Sequence, residues 1–380
     1  MKKLIYFVLF IFLLITVISC SPDGKNIEEQ EPSEEEPEER EVGEIIEEED
    51  IEEPEELDPK DKELKIIENL KNEGFVQSKL NGSYLKEGDS KLRPVTVMYD
   101  NHPYARWQAG IVKADIVYEC EVEFPFTRYL AVFQDKKPEH IGPVRSARPY
   151  YLRYALEYDS IYVHVGGSNE AKVKIQDYYM ANVDGLYSGN FWRYNDTGKY
   201  IPNNMYTDME NIREAQKSSG YRVDGDFEGY KFNDIAKPIN DNLSLENCNK
   251  INIIFNSHHE VKFSYDEYEE IYNRYVNDEK QIDEYYEEDI EASNIILIKT
   301  SKKVLDDVGR LSINTVGEGE GAYITKGELA DITWEKESYN SKTHFYYENG
   351  EELVLNPGQT WIEVVTQDTS INYKEEWFNV

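Results

Sequence analysis

Apolar runs of four to seven residues, separated by polar turn clusters, follow one another through residues 92–236. Such runs predict strands, and the longer stretches between them have helical spacing. The predicted strands are Pro94–Tyr99, Ile116–Val122, Arg128–Gln134 and Ser160–Val165. The predicted helices are Pro149–Glu157, Asn169–Tyr178 and one near Asp208–Ser218. Strands interleaved with helices predict a mixed α/β layered domain over residues 92–236.

Residues 249–368 follow a different pattern, in which apolar and polar positions mostly alternate. The predicted strands are Ile251–Phe255, Val261–Tyr265, Ile271–Val276, Ile295–Lys299, Arg310–Thr315, Tyr323–Thr325, Thr343–Tyr347, Glu352–Leu355 and Thr360–Val365. Lys326-Gly327 and Asn349-Gly350 lie between strands and predict hairpin turns. This half is therefore a mainly antiparallel β domain, a sandwich or a barrel. The fold class as a whole is α+β.

The N-terminus has the pattern of a secretory signal over residues 1–19. Lys2 and Lys3 precede an apolar run from Leu4 to Ile18, and Val17-Ile18-Ser19-Cys20 follows. About 15 apolar residues are short for a hydrocarbon core of roughly 30 Å, which argues against a transmembrane anchor. Val-Ile-Ser-Cys resembles the lipobox of bacterial lipoproteins. That resemblance implies that Cys20 is lipidated and anchors the protein to the outer face of the cytoplasmic membrane.

Residues 20–61 are rich in Glu and Pro and predict a disordered stalk after the lipidated cysteine. Residues 28–58 hold 19 acidic residues and one basic residue, so they contribute −18 of the formal net charge of −35. Residues 62–91 form a lead-in segment, with a short helix predicted over Lys62–Gly74. The rest of the chain still carries −17, and it shows no basic face of the kind that binds nucleic acid.

The chain contains 30 tyrosines. Codon bias in a genome of low GC content explains them, because tyrosine is an ordinary strand former. An aromatic surface for sugars is the alternative. We favour the first explanation.

Arg145 and Arg148 follow the turn at Gly142-Pro143, and Pro149 suits the first turn of a helix. Together with Arg128 they are the candidate residues for binding an anion, because guanidinium groups match phosphate or carboxylate in a bidentate manner. The alternative is that these arginines pair inside the domain with Asp100, Glu119, Glu121 or Glu123.

Asp100, Glu119 and His164 lie at or near predicted strand ends, and they are the candidates for acid–base chemistry or for holding a cation. The alternative, which we favour, is that they are hydrogen-bonded residues of turns and strand ends. His258-His259 is interpreted as a solvated turn, since neighbouring residues of a strand face opposite ways and cannot easily share one metal.

Ser168 follows Gly166-Gly167, but the Gly-x-Ser-x-Gly pattern of a nucleophile turn is absent. We therefore interpret Ser168 as the N-cap of the helix that follows. Cys120 and Cys248 fall in different predicted domains, so two thiols are favoured over a disulfide, which an extracytoplasmic location leaves open. The sequence shows neither a phosphate-binding glycine loop nor a zinc motif, and we expect no cofactor and no metal.

Several of these segments resemble the YerB-type bacterial lipoproteins, whose folded portion is a domain of unknown function. The matching segments are Arg93–Val95, Asp100–Pro103, Ala114–Glu119, Thr127–Phe133, Ile141–Pro149, Tyr162–Ser168, Asp184–Leu186, Phe191–Arg193 and Leu353–Trp361. The resemblance covers most of residues 92–366. It implies an anchored envelope protein, usually of two parts, with no established catalytic residues.

We therefore favour a binding or accessory protein that takes an anionic envelope ligand, a small molecule or a glycan, or a partner protein in the membrane. The alternative is an enzyme acting on a phosphate-bearing envelope substrate such as a lipid-linked glycan. In that enzyme, the arginines would hold phosphate while Asp100 or Glu119 binds a metal or moves a proton. The two hypotheses differ in geometry, because the enzyme needs the arginines to converge on an open cleft with one of these carboxylates within reach.

Overall fold

A computed structural model describes residues 58–240 and 242–373 of the protein. The predicted signal, the lipidation site at Cys20 and nearly all of the acidic stalk lie outside the described residues. The helices are α1 Pro59–Asn72, α2 Glu87–Ser90, α3 Pro149–Leu156, α4 Asn169–Asp177 and α5 Met209–Ser218. Within these ranges, no helix is long and apolar enough to cross a membrane.

Twenty-five strands complete the described part of the chain. The first ten are β1 Phe75–Gln77, β2 Tyr84–Lys86, β3 Val95–Asp100, β4 Ile116–Glu121, β5 Thr127–Phe133, β6 Ile161–His164, β7 Asn182–Asp184, β8 Trp192–Arg193, β9 Met205–Tyr206 and β10 Lys231–Phe232. The next eight are β11 Leu245–Asn247, β12 Lys250–Asn256, β13 His259–Asp266, β14 Ile271–Val276, β15 Glu279–Lys280, β16 Glu291–Ala292, β17 Asn294–Thr300 and β18 Lys302–Val304. The last seven are β19 Leu311–Ile313, β20 Gly317–Thr325, β21 Glu328–Lys336, β22 His344–Tyr347, β23 Val354–Leu355, β24 Thr360–Thr366 and β25 Ser370–Asn372.

Each helix and strand predicted from the pattern overlaps an observed one, and the α+β fold class is confirmed. Local chemistry explains several boundaries. Pro149 occupies the first turn of α3. The Ser168 hydroxyl accepts a hydrogen bond from the Ala171 amide at 3.2 Å and caps α4, as predicted. Lys326 and Gly327 have φ of +52° and +77° and form the tight turn between β20 and β21.

The largest sheet, called here the main sheet, has eleven strands in the order β11-β21-β20-β17-β24-β4-β5-β3-β6-β7, with β22 paired to β21. Its strands come from both predicted domains. The junction is β24, which pairs in parallel with β17 on one side and with β4 on the other. The predicted β domain therefore does not close on itself as a sandwich or barrel of its own. The boundaries at 92–236 and 249–368 remain a prediction.

The second sheet contains six strands, β15-β14-β13-β12-β25 with β16 paired to β14. It packs on one face of the main sheet together with α5, where Trp361 of β24 meets Phe263 of β13. We call this the sheet face. The opposite face, called the helical face, is covered by α3 and α4 and carries Tyr118 and Leu130.

Tyrosines serve mainly as core residues in this fold. Eleven of the described tyrosines are at most 2 % exposed: Tyr99, Tyr118, Tyr129, Tyr150, Tyr151, Tyr154, Tyr158, Tyr162, Tyr206, Tyr272 and Tyr323. The hydroxyl groups of Tyr150 and Tyr151 donate to the carbonyls of Glu121 and Cys120 at 2.8 and 2.9 Å, which attaches α3 to the main sheet. A tyrosine ring provides apolar area and its hydroxyl usually finds a partner in the interior, although that of Tyr162 has none among the described residues.

Ile362 lies on β24 and is fully buried on the helical face. We expect Ile362→Ala to lower the free energy of unfolding by about 2–5 kcal/mol, because it leaves a cavity at the strand that joins the two halves. Ile66→Ala, at a position that is 59 % exposed on α1, is the matched control and should cost no more than about 0.5 kcal/mol. Urea unfolding followed by circular dichroism and tryptophan fluorescence measures both. Separate transitions for the two probes would contradict the role of β24.

Candidate functional site

The arginine-bearing segment lies between the ends of β3 and β6. The Arg145 amide donates to the Met98 carbonyl at 2.8 Å, and the Arg145 carbonyl accepts from the Val165 amide at 3.0 Å. Arg148 is the residue directly before α3. The segment thus brings Arg145 and Arg148 to the edge of the main sheet where β3, β4 and β6 end and where Arg128 is the second residue of β5. Arg128, Arg145 and Arg148 are called the arginine cluster below.

Two members of the cluster have internal carboxylate partners. Arg148 donates from Nε and Nη2 to the two carboxylate oxygens of Glu123, both at 2.8 Å. The Nε of Arg145 lies 3.0 Å from Oδ2 of Asp100. Internal pairing, the alternative interpretation from the sequence, is therefore the arrangement found for these two side chains.

Arg128 differs from its two neighbours. It is only 6 % exposed, and its side chain donates one hydrogen bond, from Nη1 to the Ser146 carbonyl. Among the described residues, no carboxylate lies within salt-bridge distance of it. Burial, followed by the charges of Arg148 and Arg145, lowers the pKa of Arg128 to about 10. Three guanidinium groups therefore share this edge with two carboxylates, and Arg128 is the cation without a direct counter-ion.

Asp100 is the direct cross-strand neighbour of Arg128 in the antiparallel pair β3–β5. Its carboxylate is already engaged by other groups. Asn203 donates from Nδ2 to Oδ2 at 2.7 Å, and the His102 amide donates to Oδ1 at 3.2 Å. Asp100 therefore holds the loop residues of this edge in place.

Glu119 lies on the opposite face of the main sheet. Cys120 pairs with Arg128 across β4 and β5, and Glu119 pairs with Tyr129. Because successive side chains of a strand point to opposite faces, Glu119 points away from Arg128 and Asp100. The two candidate carboxylates are therefore not brought together by the fold.

The contacts of His164 involve neither Asp100 nor Glu119. Its Nδ1 is 2.8 Å from the Gly166 carbonyl and 4.0 Å from Asp184, and its Nε2 is 3.3 Å from Asn182. These contacts belong to the edge formed by β6 and β7. His164 is thus a hydrogen-bonded residue of a strand end.

The open space next to the cluster is small. A cavity of about 190 Å³ is lined by Arg148, Pro149 and Ser168 on one side and by Arg310 on the other. Arg128 and Arg145 do not line it. Of the three arginines, only Arg148 lines this cavity.

The sheet face contains a buried polar centre that sequence reasoning missed. Arg274 of β14 is fully buried and donates from Nη2 to the Glu119 carboxylate, and its guanidinium stacks on Trp361 with 4.0 Å between group and ring centre. Glu363 of β24 is in register with Glu119, and its Oε1 lies 3.5 Å from Nη2 of Arg274. Arg274 lies between Tyr272 and Val276 on the buried side of an alternating strand. An arginine at such a position was the signal in the sequence that could have predicted a buried charge.

The interpretation of His258-His259 as a solvated turn is wrong for His259. His258 lies exposed in the turn, but His259 begins β13, is 3 % exposed and has Nε2 at 2.6 Å from Oε1 of Glu119. The alternation of His259 with Val261 and Phe263 places it on the buried face of that strand. The two histidines do face opposite ways, as predicted.

The two carboxylates of this centre titrate differently. Burial raises the pKa of Glu119, but Arg274 and His259 outweigh it, so the pKa lies below its ordinary value. Burial and the adjacent Glu119 raise the pKa of Glu363 well above its ordinary value. Neither oxygen of Glu363 has a hydrogen-bond partner that would stabilise its anion. The fold therefore favours the neutral form of Glu363 beside the ionised form of Glu119.

One group of side chains in the described residues has the spacing of metal ligands. Donor atoms of Glu228, His344 and Glu352 lie within 4.8 Å of one another. The Nζ of Lys342 bonds Glu228 at 3.2 Å and Glu352 at 2.9 Å, and Lys231 also pairs with Glu352. Ammonium groups therefore already provide the positive charge that a metal would provide.

Both cysteines of the described residues are free and buried, as the sequence indicates. Burial raises the pKa of the Cys120 thiol well above its ordinary value and that of Cys248 to about 12. Both side chains are therefore inert core thiols.

Comparisons with known proteins place this two-part α+β chain in a family. The family model described as "Protein of unknown function (DUF3048) N-terminal domain" matches residues 80–222, and the model for the C-terminal domain of the same family matches residues 251–362. The chain belongs to this family, whose description assigns no function.

The relative described as "Putative lipoprotein YerB" from Bacillus subtilis (strain 168) is 32% identical over 293 residues, which are 76% of this chain and 86% of the relative. The crystal structure of the YerB protein from Bacillus subtilis matches with a TM-score of 0.69 at 30% identity, over 78% of this chain and 99% of that one. The resemblance to the YerB-type lipoproteins is confirmed.

The protonation of Glu363 predicts how stability depends on pH. The unfolded chain ionises Glu363 near its ordinary pKa of about 4.3, whereas the folded chain keeps the proton. This carboxyl therefore stabilises the fold fully below that pH, and its contribution falls as pH rises towards the folded pKa, by at most about 1.4 kcal/mol per pH unit.

The side chain in Glu363→Gln cannot ionise, so this variant should not lose stability in this way. As pH rises from 5 to 8, the free energy of unfolding of the variant should therefore increase relative to that of wild type. Urea unfolding at each pH measures both free energies. Glu335→Gln, at an exposed position of β21, is the control and should follow wild type. Parallel pH dependences for wild type and Glu363→Gln would show that Glu363 is ionised in the folded protein.

Proposed function

We propose that the protein is a lipid-anchored extracytoplasmic binding protein, and that it binds the anionic group of an envelope ligand at the arginine cluster. The observation that carries this proposal is the position of Arg128, a buried guanidinium that has one carbonyl partner and, within residues 58–240 and 242–373, no carboxylate at salt-bridge distance. Arg145 and Arg148 stand beside it with their own charges already balanced.

The physical basis is the cost of an uncompensated buried cation. A charge taken out of water is stabilised only by a partner of opposite sign or by several hydrogen bonds. The Nε and Nη2 of Arg128 have no acceptor among the described residues, and neither is a fully enclosed atom. An incoming phosphate or carboxylate would therefore find two free N–H donors in the geometry that favours bidentate binding.

Binding is favoured over catalysis by the same geometry. The enzyme hypothesis requires a carboxylate that can hold a metal or move a proton next to the arginines. Glu119 lies on the other face of the main sheet, and Asp100 is occupied by Asn203 and Arg145. Asp100 does lie next to the arginines, but its carboxylate is already engaged by these groups, which favours a structural role for it.

The anchor rests on sequence and on the relative. The lipobox-like Val17-Ile18-Ser19-Cys20 follows an apolar run, and a 32% identical relative is described as a putative lipoprotein. Lipidation of Cys20 would place the folded residues outside the cytoplasmic membrane, at the end of an acidic segment. The ligand is then a component of the cell envelope.

The anion site is tested by thermal unfolding of the full-length chain in detergent, titrated with sodium phosphate and pyrophosphate at constant ionic strength. Wild type should gain about 2.7 kcal/mol when the ligand reaches about 100 times its dissociation constant. Arg128→Gln keeps a donor for the Ser146 carbonyl but removes the charge, so the gain should disappear.

The matched control is Arg213→Gln. Arg213 is another arginine without a carboxylate partner and with a pKa lowered to about 10 by burial, but it donates to the Arg93 and Gln134 carbonyls at the other end of β5. This variant should keep the gain. Equal gains in wild type and a folded Arg128→Gln variant would refute an anion site at Arg128.

The lipid anchor is tested with Cys20→Ala in a bacterial host that receives labelled palmitate. Wild type should carry the label and sediment with membranes, whereas Cys20→Ala should do neither, because it lacks the thiol that is acylated. Cys248→Ala serves as the control and should behave like wild type. Labelled, membrane-bound Cys20→Ala would contradict the assignment of the anchor.

A further inference from the structure

Two groups of aromatic side chains lie on the loops next to the arginine cluster. Tyr104 contacts His102 with ring centres 5.1 Å apart, and His102 contacts Phe126 at 4.5 Å. On the same loop as Phe126, Phe124 contacts His258 at 5.7 Å. These five residues are called the aromatic strip. Tyr104 is 76 % exposed and Phe124 is 68 % exposed, so the strip presents ring faces to solvent.

The strip and the cluster are built from the same backbone. Glu123, which holds Arg148, directly precedes Phe124 in the turn between β4 and β5. The Val122 amide donates to the Phe126 carbonyl, so the ladder of β4 and β5 continues to Phe126. Phe126 and Arg128 are two residues apart and therefore share the helical face. At the other end of the strip, the His102 amide donates to Asp100.

From this arrangement we propose that the anionic ligand is a glycan, with its phosphate or carboxylate on Arg128 and a sugar ring on the aromatic strip. This inference rests on the proposed function and names its ligand class. The apolar C–H face of a sugar ring packs on an aromatic ring, whereas its hydroxyl groups remain hydrated. Arg128 supplies the donors for the charged group.

The spacing fits one sugar unit. Two residues of a strand span about 7 Å, which separates the backbone positions of Phe126 and Arg128. In a sugar phosphate, the distance from the centre of the six-membered ring to the charged group is of the same order. A single sugar phosphate can therefore contact the strip and the cluster together.

Charge disfavours a lipid surface as the occupant of the strip. The chain carries a formal charge of −35, and −17 of it lies outside residues 28–58. An anionic bilayer would repel such a protein, since membrane attachment through a surface patch ordinarily relies on clusters of basic residues. A single anionic group of a soluble or wall-linked glycan meets the local charges of the arginine cluster, where three guanidinium groups face two carboxylates.

The inference is tested by calorimetric titration of the full-length chain in detergent with sodium phosphate, glucose 1-phosphate and glucose. An aromatic contact worth about 0.5–1.5 kcal/mol makes glucose 1-phosphate bind roughly two- to twelvefold tighter than phosphate. Glucose alone should bind far more weakly than either. In Tyr104→Ala/Phe124→Ala, phosphate affinity should stay unchanged and the advantage of glucose 1-phosphate should be lost.

Tyr179→Ala/Tyr268→Ala is the matched control, because these tyrosines are 94 % and 91 % exposed but lie after α4 and in the β13–β14 turn. It should keep the advantage. Phosphate binding with no advantage for glucose 1-phosphate in wild type would overturn the glycan inference and leave the anion site standing. No binding of either compound would refute the proposed function and the inference with it.

Sedimentation with phosphatidylglycerol vesicles distinguishes a lipid occupant. Because a wild-type lipid anchor would bind vesicles by itself, this arm compares Cys20→Ala with Cys20→Ala/Tyr104→Ala/Phe124→Ala. Neither should sediment. If Cys20→Ala sediments with the vesicles and Cys20→Ala/Tyr104→Ala/Phe124→Ala does not, the strip docks on lipid. That result would overturn the glycan inference.

Discussion

One buried arginine links the two packed sheets and crosses the apolar core between them. Arg274 extends from the second sheet to Glu119 and Glu363, which lie in register on β4 and β24. Its guanidinium stacks on Trp361, so the same group satisfies charge and provides packing. Arg274 is shared by both carboxylates, and His259, which contacts Arg106, bonds Glu119 but not Glu363. Burial and the adjacent Glu119 raise the pKa of Glu363, so the neutral form of this carboxyl group is favoured in the interior.

This centre occupies the sheet face and leaves the helical face for other roles. Glu119, which sequence position alone makes a candidate for acid–base chemistry, is enclosed by Arg274, His259 and Thr127. At the edge of the helical face, the charges are not balanced in the same way, because Arg128 has no carboxylate of its own. A structural ion cluster and a candidate binding site thus lie back to back on β4 and β5, separated by the thickness of one sheet.

Much of the fold follows from local pattern. Alternation predicted the strands of both halves, Pro149 and Ser168 indicated where α3 and α4 begin, and Lys326-Gly327 indicated the β20–β21 turn. The alternation of His259 with Val261 and Phe263 also indicated that His259 is buried. The neighbouring His258 obscured this signal, because the pair was interpreted as one solvated turn. The arginine cluster was identified from the sequence, but its members could not be ranked. Their partners lie on other strands and loops, and no local rule predicts which carboxylate reaches which guanidinium.

The sequence by itself determined the longer strands and most helices, the acidic character and the family resemblance, because these depend on neighbouring residues and on composition. The tertiary structure decided three further matters. It inserted β24 between β4 and β17, it placed Glu119 and Arg128 on opposite faces, and it left Arg128 without a counter-ion. Each of these depends on strand pairing between segments far apart in the chain. Such pairing is governed by packing of the whole core and not by local propensity.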